Sequence, residues 1–216
     1  MLERMDEFFD SRLAIYDEHQ LDAIASARDF YPFTAGLLPR EPGARVLDLG
    51  CGTGLELEWY FQLNPTARVT GIDLAPGMLD ALRAKFPEHN LELICDSYFD
   101  VPLGAQRFDA AVSVESLHHF TQAEKIPLYT RLCTALVPGG SFILTDYFVS
   151  AGAEEARLRG ELERLRREQG IEDGEFYHFD TPLTVAHEME ALRAAGFTQV
   201  EVLGSWASTA TLRATR

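Results

Sequence analysis

The chain has 216 residues, of which 46% are hydrophobic and 25% charged, a composition typical of folded proteins with a sizeable core. Acidic residues outnumber basic ones by 34 to 19, and the net charge of −15 disfavours a nucleic-acid substrate, which would approach against a repulsive field. Apolar runs stay well below the roughly 20 residues of a membrane span. The first residues are acidic, whereas a secretion signal needs a basic start. The three cysteines are widely spaced, which suits neither a disulfide framework nor a zinc site. We therefore expect a cytoplasmic protein without membrane contact.

The first 40 residues are predicted to form helices, because apolar residues such as Phe9, Leu13 and Tyr16 recur at helical spacing before Pro39. Predicted strands and helices then alternate. The strands cover residues 44–49, 68–73, 91–95, 108–114 and 141–146, and the helices cover residues 55–63, 76–86 and 122–137. This alternation predicts an α/β fold with a mostly parallel sheet and helices on both faces.

The remaining sequence is predicted to contain a charged helix, a loop, a further helix and two strands. In the charged helix, arginine and glutamate alternate between residues 154 and 168, which indicates a solvated surface with salt bridges rather than a nucleic-acid interface. The loop runs from Gly170 to Pro182 and is rich in aromatic residues. A helix over residues 184–195 and strands near Val200 and Thr209 follow it.

The most informative segment is Val46-Leu-Asp-Leu-Gly-Cys-Gly-Thr-Gly54, in which a buried strand meets a turn with three alternating glycines. Glycine allows a sharp backbone bend and a close approach of a ligand, and the following helix offers free N–H groups. These features favour a nucleotide-like ligand. A tight turn without any ligand is the alternative when the glycines are taken alone.

This motif resembles the first motif of the class I S-adenosylmethionine (SAM)-dependent methyltransferases, and the similarity extends over about residues 42–148. Its G-x-G-x-G spacing differs from the G-x-G-x-x-G fingerprint of dinucleotide-binding proteins, which favours SAM over NAD. The resemblance implies a Rossmann-like, seven-stranded, mostly parallel sheet and a transferase that uses SAM and releases S-adenosyl-L-homocysteine (SAH). It divides the single expected domain into a helical cap (1–40), a SAM-binding core (41–150), a helix with a substrate lid (151–183) and a C-terminal helix with strands (184–216).

The same resemblance implies a set of cofactor contacts. Asp73, at the end of the second strand, would accept hydrogen bonds from both ribose hydroxyls. The other contacts would come from the glycine turn, the adenine-binding segments, the end of the fourth strand and an N-terminal tyrosine: Asp48, Gly50, Cys51, Gly52, Thr53, Gly54, Leu74, Met78, Asp96, Ser97, Tyr98, Ser113, Val114, Glu115 and Tyr16.

Four of these assignments have structural alternatives. Asp73 also suits a helix N-cap before Pro76, and Asp96 also suits a solvated turn. Tyr16 is equally compatible with packing between helices. Asp48 would either orient the methionine amino group or hold the loop.

Methyl transfer from SAM by direct in-line displacement needs alignment and exclusion of water rather than a nucleophile on the protein. If the acceptor must lose a proton, His118 or His119 is a candidate base, with packing or capping as the alternative role. Residues 175–182 of the loop contain three aromatic residues and a histidine, and we call them the aromatic segment. Its Tyr177 and His178 are candidates for covering the acceptor, with core packing as the alternative. No metal is expected, because the acids and histidines lack a ligand spacing such as H-x-x-x-H.

The sequence therefore predicts a methyltransferase for a small-molecule acceptor. An RNA-modifying or carboxy-SAM-forming relative and a non-catalytic SAM-binding regulatory protein remain alternatives. The sequence does not identify the acceptor or the oligomeric state, and a homodimer stays open.

Overall fold

Seven strands alternate with eight helices in the computed structural model, which describes residues 1–172 and 174–216. The strands are β1 (Arg45–Leu49), β2 (Arg68–Asp73), β3 (Asn90–Cys95), β4 (Phe108–Val114), β5 (Leu136–Tyr147), β6 (Gln199–Trp206) and β7 (Thr209–Thr215). The helices are α1 (Met5–Arg12), α2 (Tyr16–Ala23), α3 (Ala27–Gly36), α4 (Leu55–Leu63), α5 (Pro76–Lys85), α6 (Gln122–Ala135), α7 (Gly152–Gln169) and α8 (Val185–Ala194).

All seven strands form one sheet in the order β3-β2-β1-β4-β5-β7-β6. The first five strands pair in parallel, while β7 is antiparallel to both of its neighbours. The predicted seven-stranded, mostly parallel sheet is thus confirmed. The antiparallel β7 is compatible with a tight β6–β7 connection, because antiparallel neighbours need no helical crossover.

Hydrophobic side chains cover both faces of this sheet. In β1, Val46 faces a cluster that contains Phe30 of α3 and Tyr60 of α4, whereas Leu47 faces a cluster that contains Tyr129 of α6. All five side chains are fully buried. Successive strand residues point to opposite faces, so a strand buried on both sides must be apolar throughout, as β1 nearly is.

The junction between α6 and β5 differs from the prediction. The helix ends at Ala135 rather than residue 137, and β5 already begins at Leu136. The register shifts between Phe108, which pairs with Leu136, and Ala110, which pairs with Ser141. Gly139 in the intervening bulge has a φ of 79°, a conformation that glycine adopts readily.

The aromatic segment after α7 is attached to the N-terminus of the chain. The N–H of Met5 donates to the carbonyl of Phe176 (3.0 Å), and the N–H of His178 donates to the carbonyl of Glu3 (3.0 Å). The predicted lid, residues 170–182, includes position 173, which lies outside the described residues. Of the helices in the described part of the chain, none combines the length and apolar character needed to cross a membrane.

Candidate active site

The residues of the predicted cofactor motif lie at the carboxyl edge of the parallel strands. The glycine turn follows β1, Asp73 ends β2, and Glu115 follows β4. Because β1 lies between β2 and β4, the chain changes direction across the sheet at this point. Ligands of doubly wound sheets bind in the crevice that such a change of direction creates.

The glycine turn has the backbone conformation that its sequence predicts. Gly50, Gly52 and Gly54 have φ values of 71°, 49° and 72°. A Cβ atom at Gly50 would collide with Ser116, whereas a Cβ atom at Gly52 would meet only the Tyr16 ring, at 3.8 Å. A larger side chain at Gly52 would therefore project into the open cleft beneath Tyr16.

Asp73 lies beside this turn and holds it in place. Its Oδ2 accepts a hydrogen bond from the N–H of Gly52 (2.8 Å), and its Oδ1 accepts one from the N–H of Ala75 (2.9 Å). Each carboxylate oxygen has a further lone pair available to a ligand hydroxyl. Half of the sixteen predicted cofactor residues line the cleft next to Asp73: Tyr16, Gly50, Gly52, Asp73, Leu74, Met78, Tyr98 and Glu115.

The other eight predicted cofactor residues lie behind or beyond the cleft. Cys51 is buried, and its Sγ lies directly against Gly71 of β2, where there is no room for a Cβ atom. Cys51 therefore packs onto the sheet. The Ser113 hydroxyl donates to the carbonyl of Leu49 (2.8 Å), which ties β4 to β1. Asp96 is exposed and accepts from the N–H of Ser97 (2.7 Å), as in a turn. The remaining members of this group are Asp48, Thr53, Gly54 and Val114.

Asp48 is an unusual member of this group because its charge has no partner. The residue is 1% exposed, and neither carboxylate oxygen accepts a hydrogen bond within the described chain. Glu56, in the first turn of α4, is also buried, and its Oε1 lacks a hydrogen bond. Burial, followed by repulsion from Glu56, raises the pKa of Asp48 well above its ordinary value. A buried acid whose oxygens accept no hydrogen bond favours a cation nearby.

The N-terminal helices close over the turn. Tyr16 is partly buried and packs over Gly52, and burial is the first cause that raises the pKa of its phenol. The Asp17 carboxylate accepts hydrogen bonds from the Thr53 hydroxyl and from the Lys85 ammonium (2.7 Å). The structure thus places Tyr16 over the glycine turn, and its contact with the cofactor remains a prediction.

The residues present fit SAM on two observations. The turn is open toward the cleft at Gly52, and the Asp73 carboxylate can accept ribose hydroxyls.

A larger cavity of about 600 Å³ adjoins the cleft. We call it the acceptor cavity. It shares four lining residues with the cleft, namely Phe9, Tyr16, Glu115 and His119. Its other walls come from α1, α2, the 3-10 turn at residues 117–119, the aromatic segment and the β6–β7 connection. Its volume is within the range of pockets for small ligands.

His118 forms the centre of a charged network in this cavity. Its Nδ1–H donates to Oδ1 of Asp146 (2.6 Å), and its Nε2 lies 3.6 Å from Oδ1 of Asp180. Although burial lowers it, the pKa of His118 rises to about 10 because of Asp146 and then Asp180. Burial and the neighbouring His118 lower the pKa of His119 to about 4. At neutral pH, His118 is therefore charged and His119 neutral.

Glu115 lies where the cleft meets the acceptor cavity. Its side chain is 8% exposed, and its φ of 50° is a strained value for a residue with a side chain. Oε1 accepts a hydrogen bond from the Thr209 hydroxyl (3.1 Å), whereas Oε2 lies 4.0 Å from Nδ1 of His118. Burial and then the Asp146 carboxylate raise the pKa of Glu115 to about 7.

The two aromatic candidates of the predicted lid have different positions. His178 lines the acceptor cavity, where its ring stacks on Phe8 with 3.5 Å between centroids. Tyr177 is not among the residues that line the described cavity, and its hydroxyl donates to Glu175 (3.2 Å). The structure therefore brings His118, His119 and His178 together but leaves Tyr177 apart from them.

Two sets of potential metal-ligating atoms occur here, each set lying within 4.8 Å: Glu115, His118 and Asp146, and His118, His119 and Asp180. In the first set, the 2.6 Å contact between His118 and Asp146 is too short for an ion to bridge these two atoms. In the second, Oδ1 of Asp180 already lies 3.6 Å from Nε2 of His118 and 3.2 Å from Nδ1 of His119. The expectation of a metal-free site remains a prediction.

Sequence reasoning missed Asp180, Glu56 and Asp17. In the sequence Asp180 is one residue of the predicted lid, although an acid within an aromatic segment is a signal for a polar function. Glu56 carries no signal, since acids in the first turn of a helix are common. Asp17 does carry one, because it follows Tyr16 in the N-terminal Tyr-Asp element to which the resemblance extends.

Comparison with known proteins agrees with this geometry. Residues 46–140 match the family described as "Methyltransferase domain". A protein of Bos taurus named "Probable tRNA methyltransferase 9B" is 27% identical over 143 residues, which are 66% of this chain and 28% of that protein. Carboxy-S-adenosyl-L-methionine synthase of Trichodesmium erythraeum is 26% identical over 184 residues, which are 76% of this chain and 69% of that enzyme.

Among solved structures, a SAM-dependent methyltransferase of Mesorhizobium loti has a TM-score of 0.64 to this chain at 21% identity, covering 91% of this chain and 100% of that one. At this identity the similarity shows the shared fold alone. The chain spans only 28% of the length of the tRNA methyltransferase relative.

Proposed function

We propose that this chain, which belongs to the class I SAM-dependent methyltransferases, transfers a methyl group to a small molecule bound in the acceptor cavity. The observation that carries the proposal is the direct connection between cleft and cavity. Phe9, Tyr16, Glu115 and His119 line both, so a methyl group presented at the boundary would face the acceptor. SAM supplies the methyl group as an electrophile with a good leaving group.

The chain's own residues would bind and orient the reactants. Asp73 and the glycine turn hold the ribose and methionine parts, Leu74 and Met78 cover the adenine, and the Asp48 carboxylate offsets positive charge. In the described structure the cleft encloses about 40 Å³, far less than the 300 Å³ or more of a typical ligand pocket. We therefore propose that α1 and α2 move outward when SAM enters and close again above it.

The closed position of this cap would exclude water from the transfer site. The contacts of Asp17 with Thr53 and Lys85 hold α2 to the core, and the aromatic segment covers the cavity beside α1. Exclusion of water and alignment of the acceptor provide most of the rate enhancement that such a transfer needs.

The alternatives fit the cavity less well. A tRNA or another nucleic acid would have to approach a protein with a net charge of −15 and a cavity lined by Glu115 and Asp180. A carboxylated cofactor needs a free cation, and the guanidinium of Arg12 in the cavity wall is bound to Glu3 (3.2 Å). We further propose that residues 1–216 act as one domain in the cytoplasm.

The test combines calorimetry with a screen for turnover. Purified protein should bind SAH, and SAM should be converted to SAH when a panel of amines, phenols, thiols and carboxylic acids includes a suitable acceptor. Turnover with a nucleic acid but with no small molecule would contradict the acceptor class. Binding of SAH without turnover on any acceptor would support the regulatory alternative.

A further inference from the structure

The acceptor cavity has an acidic floor. Glu115 and Asp180 line it directly, and the Asp146 carboxylate lies immediately behind His118. The charge of His118 is shared between Asp146 and Asp180, so one imidazolium opposes three carboxyl groups. The Glu115 and Asp146 side chains are buried, whereas that of Asp180 is 46% exposed. A cationic ligand would offset the excess of acid over the single imidazolium.

The basic residue in the cavity wall does not balance this charge. Arg12 donates to Glu3, and its guanidinium lies 3.7 Å from the centre of the Phe8 ring. It also donates to the carbonyl of Phe8 (2.8 Å). These contacts hold Arg12 at the α1 side of the cavity, so the acids at the floor stay available to a ligand.

Glu115 is the acid that an acceptor atom would meet at the transfer point. Its side chain is more than nine-tenths buried, Thr209 fixes Oε1, and Oε2 accepts no hydrogen bond from the described chain. The strained φ of 50° aims this side chain at the boundary of cleft and cavity. A carboxylate oxygen that lines the cavity and accepts no hydrogen bond is a specific place for an N–H group.

We propose, resting on the methyltransferase function above, that the acceptor is an amine whose ammonium group binds to Glu115, and that Glu115 takes the proton that the nitrogen must lose before methyl transfer. The aromatic and aliphatic walls, which include Phe9, Tyr147 and Ile24, provide an apolar surface for the carbon skeleton of the amine.

The charges and atoms of this step balance. The bound ammonium transfers one proton to the Glu115 carboxylate, which leaves a neutral amine and a carboxylic acid. The neutral nitrogen forms its bond to the methyl carbon while the bond from that carbon to the SAM sulfur breaks and leaves its electron pair on sulfur. The methylated ammonium leaves, and Glu115 returns its proton to water.

Glu115 is better suited to accept this proton than His118. His118 is already protonated at neutral pH because two carboxylates flank it, whereas burial raises the pKa of Glu115 to about 7. A base with a pKa near the working pH transfers protons most effectively. In this arrangement His118 is a positioning residue that separates Glu115 from Asp180.

The experiment measures binding of three probes of matched size to the protein saturated with SAH: 2-phenylethylamine, 2-phenylethanol and 3-phenylpropionate. Calorimetry should show that the amine binds about 10- to 100-fold more tightly than the alcohol, the range expected for a charge-assisted hydrogen bond, and that the carboxylate binds most weakly. Glu115→Gln should abolish the preference for the amine.

Glu163→Gln is the matched control, because it removes the same charge from an exposed position on α7 and should keep the preference for the amine. If Glu115→Gln fails to fold, Asp180→Asn replaces it and should weaken binding of the amine but not of the alcohol. The proposal is overturned if the carboxylate binds as tightly as the amine, if no amine binds, or if Glu115→Gln keeps the preference.

These outcomes separate the inference from the proposed function. Methyl transfer to phenols or carboxylic acids but not to amines would refute the amine and keep the methyltransferase. Failure of the wild-type protein to bind SAH would refute both.

Discussion

Asp73→Ala is the change that tests the cofactor site most directly. The Asp73 carboxylate accepts hydrogen bonds from the N–H groups of Gly52 (2.8 Å) and Ala75 (2.9 Å), and it is the acid proposed to hold the ribose hydroxyls. Removal of hydrogen bonds to a charged group costs about 1.5–3 kcal/mol. We therefore expect the dissociation constant for SAM or SAH to rise by about 10- to 150-fold.

The structure adds a second consequence for Asp73→Ala. The part-buried Gly52 N–H would lose its partner, so the glycine turn itself would loosen and folding stability would fall. Asp73→Asn should be milder in both respects, because its amide oxygen still accepts one of the two backbone hydrogen bonds.

Calorimetry with SAH measures the affinity, and denaturant unfolding measures the stability of the same variants. Asp80→Ala is the control, since it removes a nearby acid that is exposed on α5. The reasoning is refuted if Asp73→Ala is folded and binds SAH within about twofold of the wild-type affinity.

Four further predictions concern other parts of the chain. Gly52→Val should abolish SAH binding while circular dichroism stays native, because the branched side chain would occupy the cleft and resist the φ of 49°; retained binding would place the cofactor elsewhere. Lys125→Met should lower the free energy of unfolding by about 3–5 kcal/mol, because the fully buried Lys125 donates to the fully buried Glu188 at 2.6 Å; a loss below about 1 kcal/mol would argue against this ion pair. The double variant Tyr177→Ala, His178→Ala should lower turnover more than it lowers SAM affinity, and hydrogen exchange of the aromatic segment should slow when SAH and an acceptor bind. If the double variant instead keeps its activity per molecule and loses stability, these residues belong to the core. Chelation by EDTA should leave turnover unchanged, because the acids and imidazoles of the acceptor cavity pair with one another; activity restored only by an added divalent ion would contradict the metal-free prediction.

The sequence by itself determined the scaffold of the cofactor site. The strands at residues 68–73 and 108–114 and the helix at residues 55–63 have the predicted bounds. Each of these depends on near neighbours in the chain, because apolar periodicity and turn residues act over a few positions. The conformation of the glycine turn follows for the same reason, since glycine is the residue that adopts positive φ without strain.

Only the tertiary structure decided how the acceptor cavity is charged. Asp146 reaches His118 across 28 positions of sequence, and Lys125 meets Glu188 across 63. Asp180 joins the histidines because the aromatic segment pairs with the N-terminus and folds back over the 3-10 turn. No local pattern encodes such contacts, because they depend on how separate elements pack, and burial then sets the charge of Glu115 and His118.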